Sequence, residues 1–161
     1  KRVVMPTFNK EQYYGTNVTK LLPHQDPFVL ISHLVEMVGS RAITQFVISE
    51  DHILIENEYL SEVGLLENLA QTAALSAGYA YFTNQSTEMD QYEAPMGYMG
   101  SIKKIQMKRQ PHYSEELETR TLLIRSIRSD QTEVVFCIGK VCSGNEVLAH
   151  GEFKLFLIYP D

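Results

Sequence analysis

Residues Ser61 to Phe82, SEVGLLENLAQTAALSAGYAYF, decide how this chain folds. The stretch is long enough for about six helical turns, and it contains no proline. Ser61 is a residue type that caps helix N-termini, and leucine and alanine occupy most of the helix circumference. Because a helix with so little polar surface must be buried, we predict one long central helix covered by a sheet.

One carboxylate lies on this apolar helix, at Glu67, and Gln71 follows it one turn later on the same face. A buried carboxylate costs free energy unless it is paired or takes part in chemistry. Glu67 is therefore either a functional residue or one member of a structural pair with a neighbouring subunit. We expect Gln71 to hold its carboxyl group in place.

The composition is that of an ordinary globular domain, with 44% apolar and 21% charged residues among 161. A net charge of −6 argues against nucleic-acid binding. The one basic concentration, Lys103 to Arg109, is either a solvated strand face or a docking surface for an acidic partner. No stretch is long enough to span a bilayer.

Cysteine usage favours a reducing compartment. Cys137 and Cys142 are five positions apart on one predicted strand, so they point to opposite faces and do not suit a disulfide. No cysteine and histidine spacing typical of a metal site is present, and we expect no metal. These features predict a cytoplasmic protein.

The order of elements predicts an α+β fold in which an antiparallel sheet is wrapped around one long central helix. Two strands precede the helix and four follow it. We assign residues 18–161 to a single domain and residues 1–17 to an N-terminal extension. The predicted strands are Phe28–Val38, Ala42–Ile48, Met96–Arg109, Leu117–Ile127, Thr132–Cys142 and Val147–Ile158.

Four segments in this order resemble the hotdog-fold 3-hydroxyacyl-[acyl-carrier-protein] dehydratases. The resemblance implies the hotdog fold and a homodimer or higher homo-oligomer with sites at the subunit interface. The segments are LLPHQDPFVLISHLVEMVGSRAITQFVISED (21–51), GLLENLAQTAALSAG (64–78), GSIKKIQMKRQP (100–111) and GNEVLAHGEFKLFLI (144–158).

The loop before the helix departs from this family. Its dehydratases carry a catalytic histidine in a His-Phe-Pro-Gly motif, which HILIENEYLSEVG (52–64) lacks. The match places Asn57 at that histidine's position, and His52 is the nearest imidazole in sequence. The shortened loop looks more like that of hotdog proteins associated with aryl-polyene pigment synthesis.

The resemblance gives Glu67 the role of catalytic acid, since burial would raise its pKa enough to deliver a proton near neutral pH. His52 becomes the candidate base, while Asn57 could only orient substrate or water. The Gly64 N–H, in the first helical turn, is a candidate donor to the thioester carbonyl.

For other residues of the chain, the sequence supports less specific predictions. Met99, together with Met96 and Tyr98 before Gly100, could line an acyl channel, or it could belong to an ordinary core. We interpret His24 as a structural loop residue. His112, beside Pro111, could approach the mouth of a tunnel.

These features predict a dehydratase-like lyase that needs no cofactor and acts on 3-hydroxyacyl thioesters of acyl carrier protein, in fatty-acid or polyene synthesis. Because the catalytic histidine motif is absent, two alternatives stay open. One is an acyl thioesterase on the same fold, in which Glu67 attacks the thioester or activates water. The other is a non-catalytic acyl-binding or scaffold subunit that works through a partner.

Overall fold

The computed structural model describes residues 16–84 and 91–161. Most of the expected N-terminal extension, residues 1–15, lies outside the described residues, as do residues 85–90 after the central helix. The elements are α1 (Thr16–Thr19), β1 (His33–Val38), β2 (Arg41–Val47), β3 (Ile55–Glu56), β4 (Tyr59–Leu60), α2 (Glu62–Asn84), β5 (Met96–Met107), β6 (Glu116–Ser129), β7 (Thr132–Ser143) and β8 (Glu146–Ile158).

Helix α2 confirms the predicted central helix, and it begins at the predicted cap. The Ser61 hydroxyl accepts a hydrogen bond from the Gly64 N–H at 3.2 Å, which satisfies an amide that the helix itself cannot. Leu65, Leu69 and Leu75 have no exposed surface. Within the described ranges, no helix has the length and apolar character needed to cross a membrane.

The main sheet has six strands in the order β1-β2-β6-β7-β8-β5. Every neighbouring pair is antiparallel. Helix α2 packs against one face of this sheet and contacts five of its strands, so the core lies between the helix and that face. This arrangement confirms the predicted α+β class, and it is the architecture of the hotdog fold.

Strand β1 begins at His33, five residues later than predicted. Of the residues before it, Phe28 and Leu30 bond to the helix instead of to a neighbouring strand. The Gln71 amide accepts from the Leu30 N–H at 2.9 Å and donates to the Phe28 carbonyl at 2.8 Å. A tertiary contact has therefore replaced the sheet bonds that the apolar run suggested.

The loop before α2 contains a small hairpin that was not predicted. Strands β3 and β4 pair over two residues each and are joined by Asn57 and Glu58. These two residues have φ values of 51° and 71°. Consecutive positive φ angles are typical of a tight hairpin turn, and asparagine tolerates them well.

Strand β5 forms one edge of the main sheet and pairs only with β8. Met96, Tyr98 and Ile102 on this strand are each about half exposed, at 49%, 52% and 47%. A long edge with large apolar side chains is usually covered in an assembled protein.

Candidate active site

Glu67 lies beside an imidazole, but that imidazole is His24. Its Nε2 is 3.1 Å from Oε1 of Glu67. His24 lies a few residues after α1. The side chains of Leu21 and Leu22 between them are buried, and Pro23 directly precedes His24. The exposed fraction is 22% for the His24 side chain and 37% for the Glu67 side chain.

The pair lines a cavity of about 240 Å³. Its walls are mainly apolar, and the space exists because α2 and β5 present small residues to each other. A Cβ added to Gly97 would lie 3.1 Å from Leu157 and 3.6 Å from the Ala74 methyl group. The lining residues are His24, Glu67, Ala70, Ala74, Gly97, Tyr98, Met99 and Leu155.

Gln71 connects Glu67 to the segment that follows the His24 loop. Its side-chain nitrogen donates to Glu67 Oε1 at 3.1 Å as well as to the Phe28 carbonyl. Asn68 adds a second tie, because its amide donates to the Leu30 carbonyl at 2.7 Å. Both residues are buried on α2, and together they fix the chain that follows the His24 loop.

The pKa of Glu67 is lowered from its ordinary value, contrary to the expectation from burial alone. The hydrogen bond from His24 is the largest cause, and the bond from Gln71 adds to it; together they outweigh the raising effect of desolvation. The prediction of a raised pKa was therefore wrong. Glu67 is an ionised carboxylate that accepts hydrogen bonds.

The orientation of the His24 ring follows from this charge. Because an ionised carboxylate only accepts, Nε2 of His24 must carry the hydrogen of their contact. Its Nδ1 is buried and has no hydrogen-bond partner among the residues that the structure describes. Among the described residues, Glu67 is therefore the one hydrogen-bond partner of the His24 ring.

Within one chain, no hydrogen bond or ion pair of the described residues joins His52 to Glu67. Nδ1 of His52 accepts from the Leu54 N–H at 3.2 Å, and Nε2 lies 3.3 Å from the Val29 carbonyl. The ring also packs edge-on against Phe46, with centroids 5.7 Å apart. Both nitrogens of His52 therefore have backbone partners within the fold.

Asn57 and Gly64 also serve local structure. Asn57 is exposed at the β3–β4 turn. The Gly64 N–H is not free to polarise a carbonyl, because it donates to Ser61. A side chain at Gly64 would overlap Leu60, which explains why glycine is needed there.

Of the predicted substrate-binding residues, Gln71 and Met99 lie at the site. Gly100 does not line the cavity; it lies beneath the Phe156 ring, which a Cβ at this position would overlap. His112 is elsewhere too, with its Nδ1 2.8 Å from the Ser114 hydroxyl and its ring edge-on to Tyr59.

The interpretation of His24 as a structural loop residue missed its contact with Glu67. The only signal was its position after Leu22-Pro23 in a segment that shared the family likeness. The contacts that bring it over α2 are tertiary, and no periodicity of the sequence encodes them. No group of His, Cys, Asp and Glu suited to a metal ion occurs in residues 16–84 and 91–161.

Comparison with solved structures supports the fold. The dehydratase heterocomplex ApeI:P from Xenorhabdus doucetiae contains a chain that is 16% identical, with a TM-score of 0.68 and coverage of 89% of this chain and 91% of that one. Protein PH1136 from Pyrococcus horikoshii is 11% identical, with a TM-score of 0.59 and coverage of 98% and 97%. Cj0977, a sigma28-regulated virulence protein from Campylobacter jejuni, is 11% identical, with a TM-score of 0.58 and coverage of 90% and 96%.

Comparison with sequence families is more specific. No curated protein sequence matches this chain. The profile of the ApeP-like family, described as ApeP dehydratase, matches residues 16–159. This match spans nearly the whole chain and confirms the resemblance to the dehydratases of the hotdog fold, including the short-loop proteins of aryl-polyene synthesis. The chain therefore belongs to the ApeP-like dehydratase family.

Proposed function

We propose that this protein removes water from 3-hydroxyacyl thioesters carried by acyl carrier protein, in fatty-acid or polyene synthesis in the cytoplasm. The observation that carries the proposal is the contact of 3.1 Å between His24 and Glu67 on the wall of an apolar cavity. A carboxylate and an imidazole in contact are sufficient for acid–base chemistry without a cofactor.

The lowered pKa of Glu67 supports a role for its carboxylate as the base. Elimination requires a base for the proton on the α-carbon and an acid for the departing hydroxyl group. The Glu67 carboxylate takes the α-proton, and protonated His24 gives a proton to the hydroxyl group as the carbon–oxygen bond breaks. The products are a 2-enoyl thioester and water. This reverses the acid role that the family resemblance gave to Glu67.

The same contact resets the pair. After the elimination Glu67 is a neutral carboxylic acid and His24 is a neutral imidazole. One proton transfer across their hydrogen bond restores the carboxylate and the imidazolium, so no further residue is needed for turnover.

The cavity walls favour a hydrocarbon chain next to this pair. Ala70, Ala74 and Met99 present only apolar atoms, apart from the adaptable methionine sulfur. Each buried CH₂ group of a substrate contributes about 0.8 kcal/mol.

The edge of β5 supports an assembly. Gly97, Tyr98 and Met99 belong both to this edge strand and to the cavity lining, so a subunit that covers the edge would also close the site. We propose that a second copy of this chain occupies the edge and forms a homodimer.

Turnover of a 3-hydroxyacyl-carrier-protein substrate by the parent and by two single variants tests the catalytic proposal. Glu67→Gln keeps the shape of the side chain but removes the base, and His24→Gln keeps a nitrogen near the Nε2 position but removes the acid. We expect each variant to lose about a hundredfold or more of the turnover. Mass spectrometry of the carrier protein follows the loss of water.

His52→Gln is the matched control, because both nitrogens of its imidazole contact the backbone. Among variants that keep the parent's circular-dichroism spectrum, this one should retain turnover within about threefold. Unchanged turnover in Glu67→Gln would refute the assignment. Release of free acid instead of enoyl product would identify a thioesterase, and no reaction by the parent would favour the acyl-binding scaffold.

A further inference from the structure

We propose that the face of the sheet turned away from α2 docks an acidic, amphipathic segment of a partner protein. A groove of about 1020 Å³ lies on this face. Arg120 lines it, whereas the preceding residue, Thr119, is buried and bonded to Asn68 of α2. Neighbouring strand residues point to opposite faces, so the groove lies across the sheet from Glu67. The inference does not depend on the chemistry proposed there.

The groove concentrates positive charge in an acidic protein. Among the residues that the structure describes, its lining includes six of the chain's fourteen Lys and Arg residues and one of its twenty Asp and Glu residues. The remaining eight basic and nineteen acidic residues give the rest of the chain a net charge of −11. The six cations are Arg41, Lys103, Lys104, Lys108, Arg120 and Lys140, and the single acid is Glu152.

The strand register brings some of these cations face to face. Arg120 is directly opposite Lys140, and Lys140 is directly opposite His150. Like charges at such positions weaken a sheet. In the part of the chain that the structure describes, Lys104, Lys108 and Lys140 have no carboxylate within salt-bridge distance. An anionic partner would relieve this repulsion.

Apolar residues lie between the cations, which distinguishes a protein partner from a nucleic acid. Leu122, Ile138 and Val147 line the same groove, and Leu122 is 39% exposed. An amphipathic acidic segment matches both the apolar residues and the cations. A nucleic acid would extend beyond the six cations and meet the acidic remainder of the surface.

Fluorescence anisotropy with a labelled peptide of repeating Glu-Leu-Leu-Glu units tests this surface. The parent should bind the peptide, and added salt should weaken the binding. The triple variant Lys104→Glu, Arg120→Glu and Lys140→Glu should lose about tenfold or more in affinity, because three attractive pairs become repulsive. If its melting temperature falls, the corresponding triple glutamine variant replaces it, with the same direction of change expected.

The matched control reverses Arg125, Arg128 and Lys154. It changes the net charge by the same amount, but these residues lie outside the groove against Phe136 and Tyr159. It should bind the peptide within about twofold of the parent. Equal losses in the two triple variants, no peptide binding by the parent, or tighter binding of a DNA oligonucleotide of matched length would each overturn the proposal.

Discussion

At the scale of single residues, Gln71 adds to the effect of His24 in lowering the pKa of Glu67. The bond from Gln71 is one of two that lower the carboxyl pKa against the effect of burial. In Gln71→Met that bond is lost while the desolvation stays, so the pKa of Glu67 should rise. If Glu67 acts as the base, the acid limb of the pH–rate profile lies below the ordinary pKa of 4.5 in the parent and should move to higher pH in the variant.

The same substitution should also reduce stability, since it leaves the Phe28 carbonyl and the Leu30 N–H without their partner. We expect a loss of about 2–4 kcal/mol in the free energy of unfolding, measured with urea. Leu66→Met, a partly buried exchange on the same helix, provides the control. An acid limb that does not move would contradict the role of Glu67 as base.

At the scale of elements, one ion-pair network joins the ends of three strands. Arg109, just after β5, bonds to Glu115 before β6 at 2.8 and 2.9 Å, and it also bonds to Glu146 at the start of β8. The His112 N–H and the Ser143 hydroxyl donate to Glu115 as well. These bonds, chiefly the one from Arg109, hold the pKa of Glu115 at about 2.

This network gives the fold a defined sensitivity to acid. A carboxyl group whose pKa is lowered on folding stabilises the fold above its unfolded pKa, and that contribution is lost as the pH falls towards the folded pKa. Glu115→Gln should therefore lose about 1–2 kcal/mol at neutral pH, after discounting for solvent. The difference from the parent should shrink between pH 4.5 and about 2. A constant difference over that range in urea unfolding would contradict this account.

Elements were easier to predict from the sequence than their contacts. Strands β5 to β8 and helix α2 follow from apolar patterns and turn residues, and they begin and end within two residues of expectation. The apolar run before β1 predicted a strand from Phe28, but Phe28 and Leu30 bond to Gln71 across the fold instead. The site shows the same division: Glu67 follows from being a carboxylate on an apolar helix, whereas His24 reaches it by a loop path that only tertiary contacts define.

At the scale of the whole molecule, the exposed edge of β5 sets the expected assembly. We predict a dimer at micromolar concentration in sedimentation velocity. The variant Met96→Lys with Ile102→Lys should shift it towards monomer, because two charges would be buried at the interface. Ile124→Lys with Ile127→Lys is the matched control, since these side chains are 59% and 56% exposed on an interior strand. A monomeric parent, or equal shifts in both variants, would refute an interface at β5.

The placement of His24 and Glu67 on one polypeptide has a consequence for mixed assemblies. If the proposed catalytic pair is correct, each chain supplies both of its members, so chains disabled at different members cannot rescue one another. In a mixture of parent chains and chains that lack His24 or Glu67, the total turnover should fall in proportion to the fraction of parent chains. A cell would therefore set the total activity by how many intact copies of this chain it makes and assembles.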